Sequence, residues 1–206
     1  MDADAFPMFP LGSVLFPHAL LPLHVFEPRY RALTERCLAG DREFGVVLIE
    51  RGHEVGGGDE RFDIGSVARI VRAGQLDDGR WMLVTVGVQR LRVTEWLPDD
   101  PHPLARVERL EDRAGADAAE RVPHVVTLLR RVHAMRAELG DPAAALDVEL
   151  DDDPVQASFE AAALAPVGPL DAQQLLAVDD AAERLERLDQ LLSEELTVLE
   201  QRLAGG

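Results

Sequence analysis

The sequence changes character near residue 112, and no single layer architecture accommodates both parts. Nine of the ten aromatic residues and eleven of the sixteen glycines precede that point, and only Phe159 among the aromatics follows it. The first part is a series of short runs rich in β-formers: Phe44 to Ile49, Val67 to Val71, Trp81 to Val86, Leu91 to Leu97 and Leu104 to Leu110. Turn residues separate these runs, and Asp78-Gly79 between two apolar stretches is a strong hairpin signal. Many short strands punctuated by Gly and Pro predict a compact, barrel-like β unit. One helix interrupts it. Pro28 suits a first helical turn, Tyr30, Leu33, Cys37 and Leu38 recur at helical spacing, and Gly40 supplies a stop.

Beyond residue 112 the pattern is helical. Val122, Val125, Val126, Leu129, Val132, Met135 and Leu139 form one apolar stripe ending at Gly140, with Pro123 either opening that helix or kinking a longer one. An acidic stretch from Asp141 to Asp153 reads as a loop. Asp153-Pro154 is a cap followed by a first-turn proline, opening a short helix through Phe159. Asp171 to Gln174 has capping-box spacing for another start. Asp179 is placed to cap a long helix striped by Leu185, Leu188, Leu192, Leu196, Leu199 and Leu203. That stripe is expected to pack on the 122–139 helix, because about three heptads make a short coiled coil. The expected organisation is therefore α+β: a β unit over residues 1–112 and an α-helical bundle over residues 113–206.

Composition removes several chemistries. All 21 basic residues are arginine, so Schiff-base catalysis, a Walker A phosphate grip and a Ser–Lys dyad are excluded within these residues. The formal net charge of −17 disfavours phosphate backbones and anionic lipid as partners. Cys37 is the single cysteine, and it reads as a small core hydrophobe. No signal-peptide pattern and no apolar run of membrane-spanning length occurs, which predicts a cytoplasmic protein. The six histidines lack metal-ligand spacing, although His18, His24 and Glu27 are near enough in sequence to be weighed together. Gly56-Gly57-Gly58 lies among acids and reads as a hairpin tip, and no serine has hydrolase-elbow context. Neither metal nor cofactor is expected, and no enzyme.

The N-terminal run carries the most specific pattern: Met8-Phe9-Pro10-Leu11, then Val14-Leu15-Phe16-Pro17, then Leu21-Pro22-Leu23-His24-Val25-Phe26-Glu27-Pro28-Arg29-Tyr30. This resembles the opening of the Lon protease N-terminal (substrate-binding) domain family. The resemblance continues through Phe44 to Leu48, Gly65 to Ile70, Gly87 to Val93 and Ala105 to Asp112, in order. The helical remainder is similar by pattern rather than by motif. The resemblance implies a PUA-like β pseudo-barrel with one inserted helix, followed by a helical bundle. In full-length Lon proteases this region helps to recognise unfolded or tagged substrates and supports assembly, while ATPase and peptidase modules lie elsewhere. Alone, it implies a non-enzymatic binding module.

Leu21, Leu23 and Val25 alternate as a half-buried strand requires, and Pro22 makes it an edge or irregular strand. Glu27 either favours the positive end of the following helix or pairs with Arg29. The expected partners are unfolded or apolar polypeptide segments, with Phe9, Phe16, Leu20 and Phe26 as candidate contacts. The alternative is an adaptor or regulator that docks on a separate protease or other protein complex.

Overall fold

A computed structural model describes residues 5–51, 60–141 and 149–204. They separate into two compact units, Met1–Glu111 and Asp112–Gly206. The triglycine expected at a hairpin tip, and most of the acidic stretch after Asp141, lie outside the described residues.

The first unit contains β1 (Phe6–Leu11), β2 (Leu20–Val25), α1 (Pro28–Ala39), β3 (Glu43–Arg51), β4 (Glu60–Gln75), β5 (Trp81–Leu97) and β6 (Leu104–Arg109). The strands form a mixed sheet in the order β2-β5-β4-β3-β1-β6, and β5 also pairs with β6. Five strands therefore close on themselves as a ring, β5-β4-β3-β1-β6-β5, with β1 and β3 parallel. β2 stands outside this ring, attached antiparallel to the first half of β5 from Leu20↔Val86 to Val25↔Trp81. Inside the ring lie Met8, Val47, Val67, Leu91, Val93 and Ala105. A second cluster joins the inner face of β2 and the β4–β5 extension to α1 through Leu23, Val25, Leu83, Ile70, Leu33 and Cys37.

The Asp78-Gly79 turn is present, with Gly79 at φ 81°, a left-handed conformation that glycine adopts without strain. Two expected strands, 81–86 and 91–97, are one strand of 17 residues. Gly87, which resembles a break in sequence, lets the chain pass the Phe16 carbonyl. A Cβ there would sit 2.1 Å from that oxygen, so the glycine serves close approach rather than a turn.

The second unit contains α2 (Ala118–Glu138), α3 (Pro154–Leu164), α4 (Pro169–Ala177) and α5 (Ala181–Ala204). α5 packs against α2, and its leucines are buried from Leu185 to Leu199. α2 begins at Ala118, so Pro123 lies inside a longer helix, the second of its two expected placements. Two other helix starts differ from expectation. α4 begins at Pro169, whose fixed φ suits a first turn, and no side chain caps it at Asp171. At α5 the capping carboxylate is Asp180 rather than Asp179; it accepts from the Ala182 and Glu183 amides at 3.0 and 3.2 Å. Asp153 caps α3 as expected, accepting from Val155 and Gln156.

Candidate functional site

The four apolar residues singled out near the N-terminus go to two different places. Phe9 and Phe16 are only 8 and 4% exposed. Phe9 stacks on Tyr30 with ring centroids 4.0 Å apart and leans on Phe44 at 5.9 Å, so β1 is tied to α1 and β3. Phe16 follows Leu15, whose carbonyl accepts from the buried Ser66 hydroxyl at 2.5 Å. Leu20 and Phe26, by contrast, are 69 and 51% exposed. They stand at the two ends of β2, on the surface.

The β2–β5 register explains what surrounds them. Leu20, Pro22 and His24 lie opposite Val86, Val84 and Met82, and residues alternating along a strand share one face. The outer face of this pair is therefore apolar, and Met82 is 48% exposed. Val71, next to a register shift in β4, adds another exposed apolar side chain. Met82 and Val71 were not anticipated from the sequence. The available signal was that Trp81 to Val86 is apolar on both alternating phases, more than a hairpin with one wet face needs.

A groove of about 210 Å³ runs beside β2, lined by Pro22, His24 and Phe26 with Phe9, Leu11 and Tyr30. Its rim carboxylate, Glu27, pairs with Arg29 at 3.0 Å. Glu27 occupies the cap position of α1 but makes no side-chain cap bond, so the salt bridge rather than the helix end holds the carboxylate. The Arg29 guanidinium in turn lies 4.5 Å from the Tyr30 ring centre, and His24 and Phe26 sit ring to ring at 6.1 Å. The Glu27–Arg29 pair thus shapes the groove while leaving little net charge in it.

The surface around β2 differs electrostatically from the chain as a whole. Residues 18–25, 64–75 and 80–94 contain no carboxylate, although the protein carries 38 acidic residues. Arg72, opposite Val84 in the same cross-strand row as Pro22, is exposed there.

Nucleophilic chemistry finds no support at the one thiol. Burial pushes the Cys37 thiol up to about 12 despite the nearby Arg36 charge, and its Sγ donates to the Glu43 carbonyl at 3.2 Å. A neutral, enclosed thiol is a poor nucleophile. Among the described residues, no group of three His, Cys, Asp or Glu side chains is placed to hold a metal ion. No described helix is long and apolar enough to cross a membrane.

Comparison with known proteins agrees with this arrangement. The family model of the ATP-dependent protease La (LON) substrate-binding domain matches residues 5–194. Lon protease 2 of Herpetosiphon aurantiacus is 31% identical over 94% of this chain, which covers 24% of that protein. The Lon protease of Anaeromyxobacter dehalogenans is likewise 31% identical over 94% of this chain and is covered over 23% of its length. The chain thus spans about a quarter of the length of the curated relatives it matches. Among solved structures, a Lon N-terminal domain protein from Xanthomonas campestris superposes with a TM-score of 0.62 at 28% identity, covering 92% of this chain and 97% of that one. The N-terminal domain of Mycobacterium avium complex Lon protease gives a TM-score of 0.65 at 17% identity, a likeness of fold, with 92 and 98% covered.

Proposed function

Because the chain belongs to the ATP-dependent protease La (Lon) substrate-binding domain family, we propose that it is a non-enzymatic module that holds exposed apolar segments of polypeptide. The observation that carries this reading is the apolar surface on β2 and its neighbours: Leu20, Phe26, Met82 and Val71. Contiguous exposed apolar area on a soluble domain marks an interaction site. Leu20 and Phe26 are the side chains proposed to touch the bound segment, and Phe9 serves as part of the groove floor. The acidic surface elsewhere keeps the module soluble and disfavours nucleic acid or anionic lipid as partners. A cytoplasmic location fits a protein whose clients are misfolded chains.

Binding of a fluorescent, reduced and carboxymethylated protein, which cannot refold, tests the reading by anisotropy. Binding well above that of an unrelated protein of similar charge is expected. The double change Leu20→Ser with Phe26→Ser should weaken it about thirtyfold, the loss of two anchors worth about 1 kcal/mol each. Val198→Ser, which alters an exposed apolar residue of α5, should leave it unchanged. No binding by the parent protein would overturn the proposal. Recovery of one stoichiometric partner, in place of many heterogeneous clients, would favour an adaptor that docks on a separate protease.

A further inference from the structure

Closing a sheet into a ring removes its free edges. Here the closure is β5-β4-β3-β1-β6-β5, and β2 is the strand it leaves out. β2 has β5 on one side, and the groove lies along its other side. The direction of its backbone groups follows from the ladder. The Gly87 amide donates to the Ala19 carbonyl at 2.9 Å, the Gly87 carbonyl accepts from the His18 amide at 2.8 Å, and the Leu21 carbonyl accepts from the Thr85 hydroxyl at 2.9 Å, so the carbonyls of 19 and 21 both face β5. Hydrogen-bonded positions alternate along an antiparallel pair, so residues 21, 23 and 25 direct their groups to β5. Leu20, Pro22 and His24 direct theirs away from it, toward the open edge. Pro22 has no amide hydrogen, and its place in the sequence costs the β5 ladder nothing.

We infer that an extended apolar segment of a client chain joins the open edge of β2 as an additional strand, its flank carrying acidic rather than basic residues. This deepens the function proposed above and rests on it. Main-chain groups of Leu20, Pro22 and His24 give affinity without regard to client sequence, as strand addition does elsewhere. The groove beside them has volume for one large apolar side chain, with Phe9 and Leu11 as its floor. Charge selects the flank. No carboxylate lies on the paired segments around β2, and Glu27 is already held by Arg29. Arg69 is occupied by Glu43 at 2.7 Å, which leaves Arg72 as the local positive charge. It sits three strands from a chain added at that edge, about 14 Å away, within one screening length only at low ionic strength. A second copy of this chain fits the edge less well. Two β2 strands meeting edge to edge would each bring an outward Pro22, so both sides of the shared ladder would lack a donor.

The test uses the whole chain, the unfolded protein above, and a short Val/Thr/Phe peptide with glutamates at one end. The peptide is expected to compete with the unfolded protein. N-methylating its alternate amides in one phase should weaken binding about tenfold or more, by removing two or more main-chain hydrogen bonds. Methylation in the opposite phase should leave affinity within about twofold, because those amides point away from β2. Exchanging the glutamates for lysines should weaken binding several-fold at low salt. If the unfolded protein binds and both methylated peptides bind like the parent, strand addition is overturned while the binding function stands. If the unfolded protein does not bind, the function itself fails. A lysine-flanked peptide that binds better overturns the assignment of the flank. A dimer in sedimentation that the peptide neither splits nor joins would assign the edge to a second copy.

Discussion

Arg184 is fully buried on α5, and its guanidinium is shared between α3, α4 and the segment before α2. It donates to the Ser158 hydroxyl at 2.5 Å, to Asp112 at 2.9 Å, and to the carbonyls of Val178 and Leu175 at 2.6 and 3.3 Å. The same cation lies 3.7 Å from the centre of the Phe159 ring. A buried charge is tolerated when its donors are all engaged, and removing it strands the acceptors. Arg184→Leu should therefore lower stability by about 3 kcal/mol in urea unfolding, and Arg184→Lys should recover little, because an ammonium lacks the planar fork. A loss under about 1 kcal/mol would show that the bundle repacks around leucine. The sequence carries a sign of this residue. Arg184 falls on the stripe of Ala181, Leu185 and Leu188, the buried side of α5, whereas Arg187 falls on the wet side and pairs with Glu183 at 2.6 Å. The reverse held in the N-terminal run. Phe9, Phe16, Leu20 and Phe26 look alike in sequence, and only tertiary packing, for Phe9 that of β1 on Tyr30 and Phe44, separates buried from exposed.

Glu43 connects elements rather than residues. From β3 it accepts from Arg69 of β4 at 2.7 Å and from Arg109 of β6 at 2.5 Å. Burial pushes its carboxyl up, but the hydrogen bonds and charges of Arg109 and Arg69 outweigh that and hold it below its ordinary value of 4.5. A carboxylate depressed in the folded state stabilises above the unfolded value and loses that contribution as pH falls below it. Glu43→Gln should cost about 1 kcal/mol at neutral pH, the upper end for pairs with exposed arginines. The difference from the parent should shrink toward zero near pH 3, as urea midpoints across pH would show. A difference independent of pH would mean that shape, not charge, is what Glu43 supplies. Much at this scale was legible beforehand, because it depends on neighbours in sequence. The α1 boundaries, the Asp78-Gly79 turn, the Asp153 cap and the α2–α5 pairing all follow from local spacing. The continuity of β5 through Gly87 did not, since the cause is a distant carbonyl at Phe16. The start of α2 five residues before Pro123 selects the longer of two helices that the local spacing allowed, because a proline serves a first turn as well as it interrupts a longer helix.

The molecule as a whole carries a formal charge of −17, and self-repulsion of that size opposes compaction. Raising monovalent salt from about 10 to about 150 mM shortens the screening length from about 30 to about 8 Å. The thermal midpoint should therefore rise over that range. A fall would show that the surface ion pairs, such as Arg131 with Glu200, outweigh the general repulsion. Charge and fold thus act at different ranges: the first is spread over the surface, while the second depends on which strands meet. In the β unit, Phe6 of the first strand pairs with Ala105 of the last, and β1 reaches β3 in parallel only across β2 and α1. Local hairpins can form early, but β1 waits for β6 before both its sides are occupied. During vectorial synthesis the nascent chain must emerge through Arg109 before the barrel can shut. Until then β1, with its Phe-Pro-Met-Phe sequence, is itself an unsatisfied apolar strand, the class of segment that this module is proposed to hold in others.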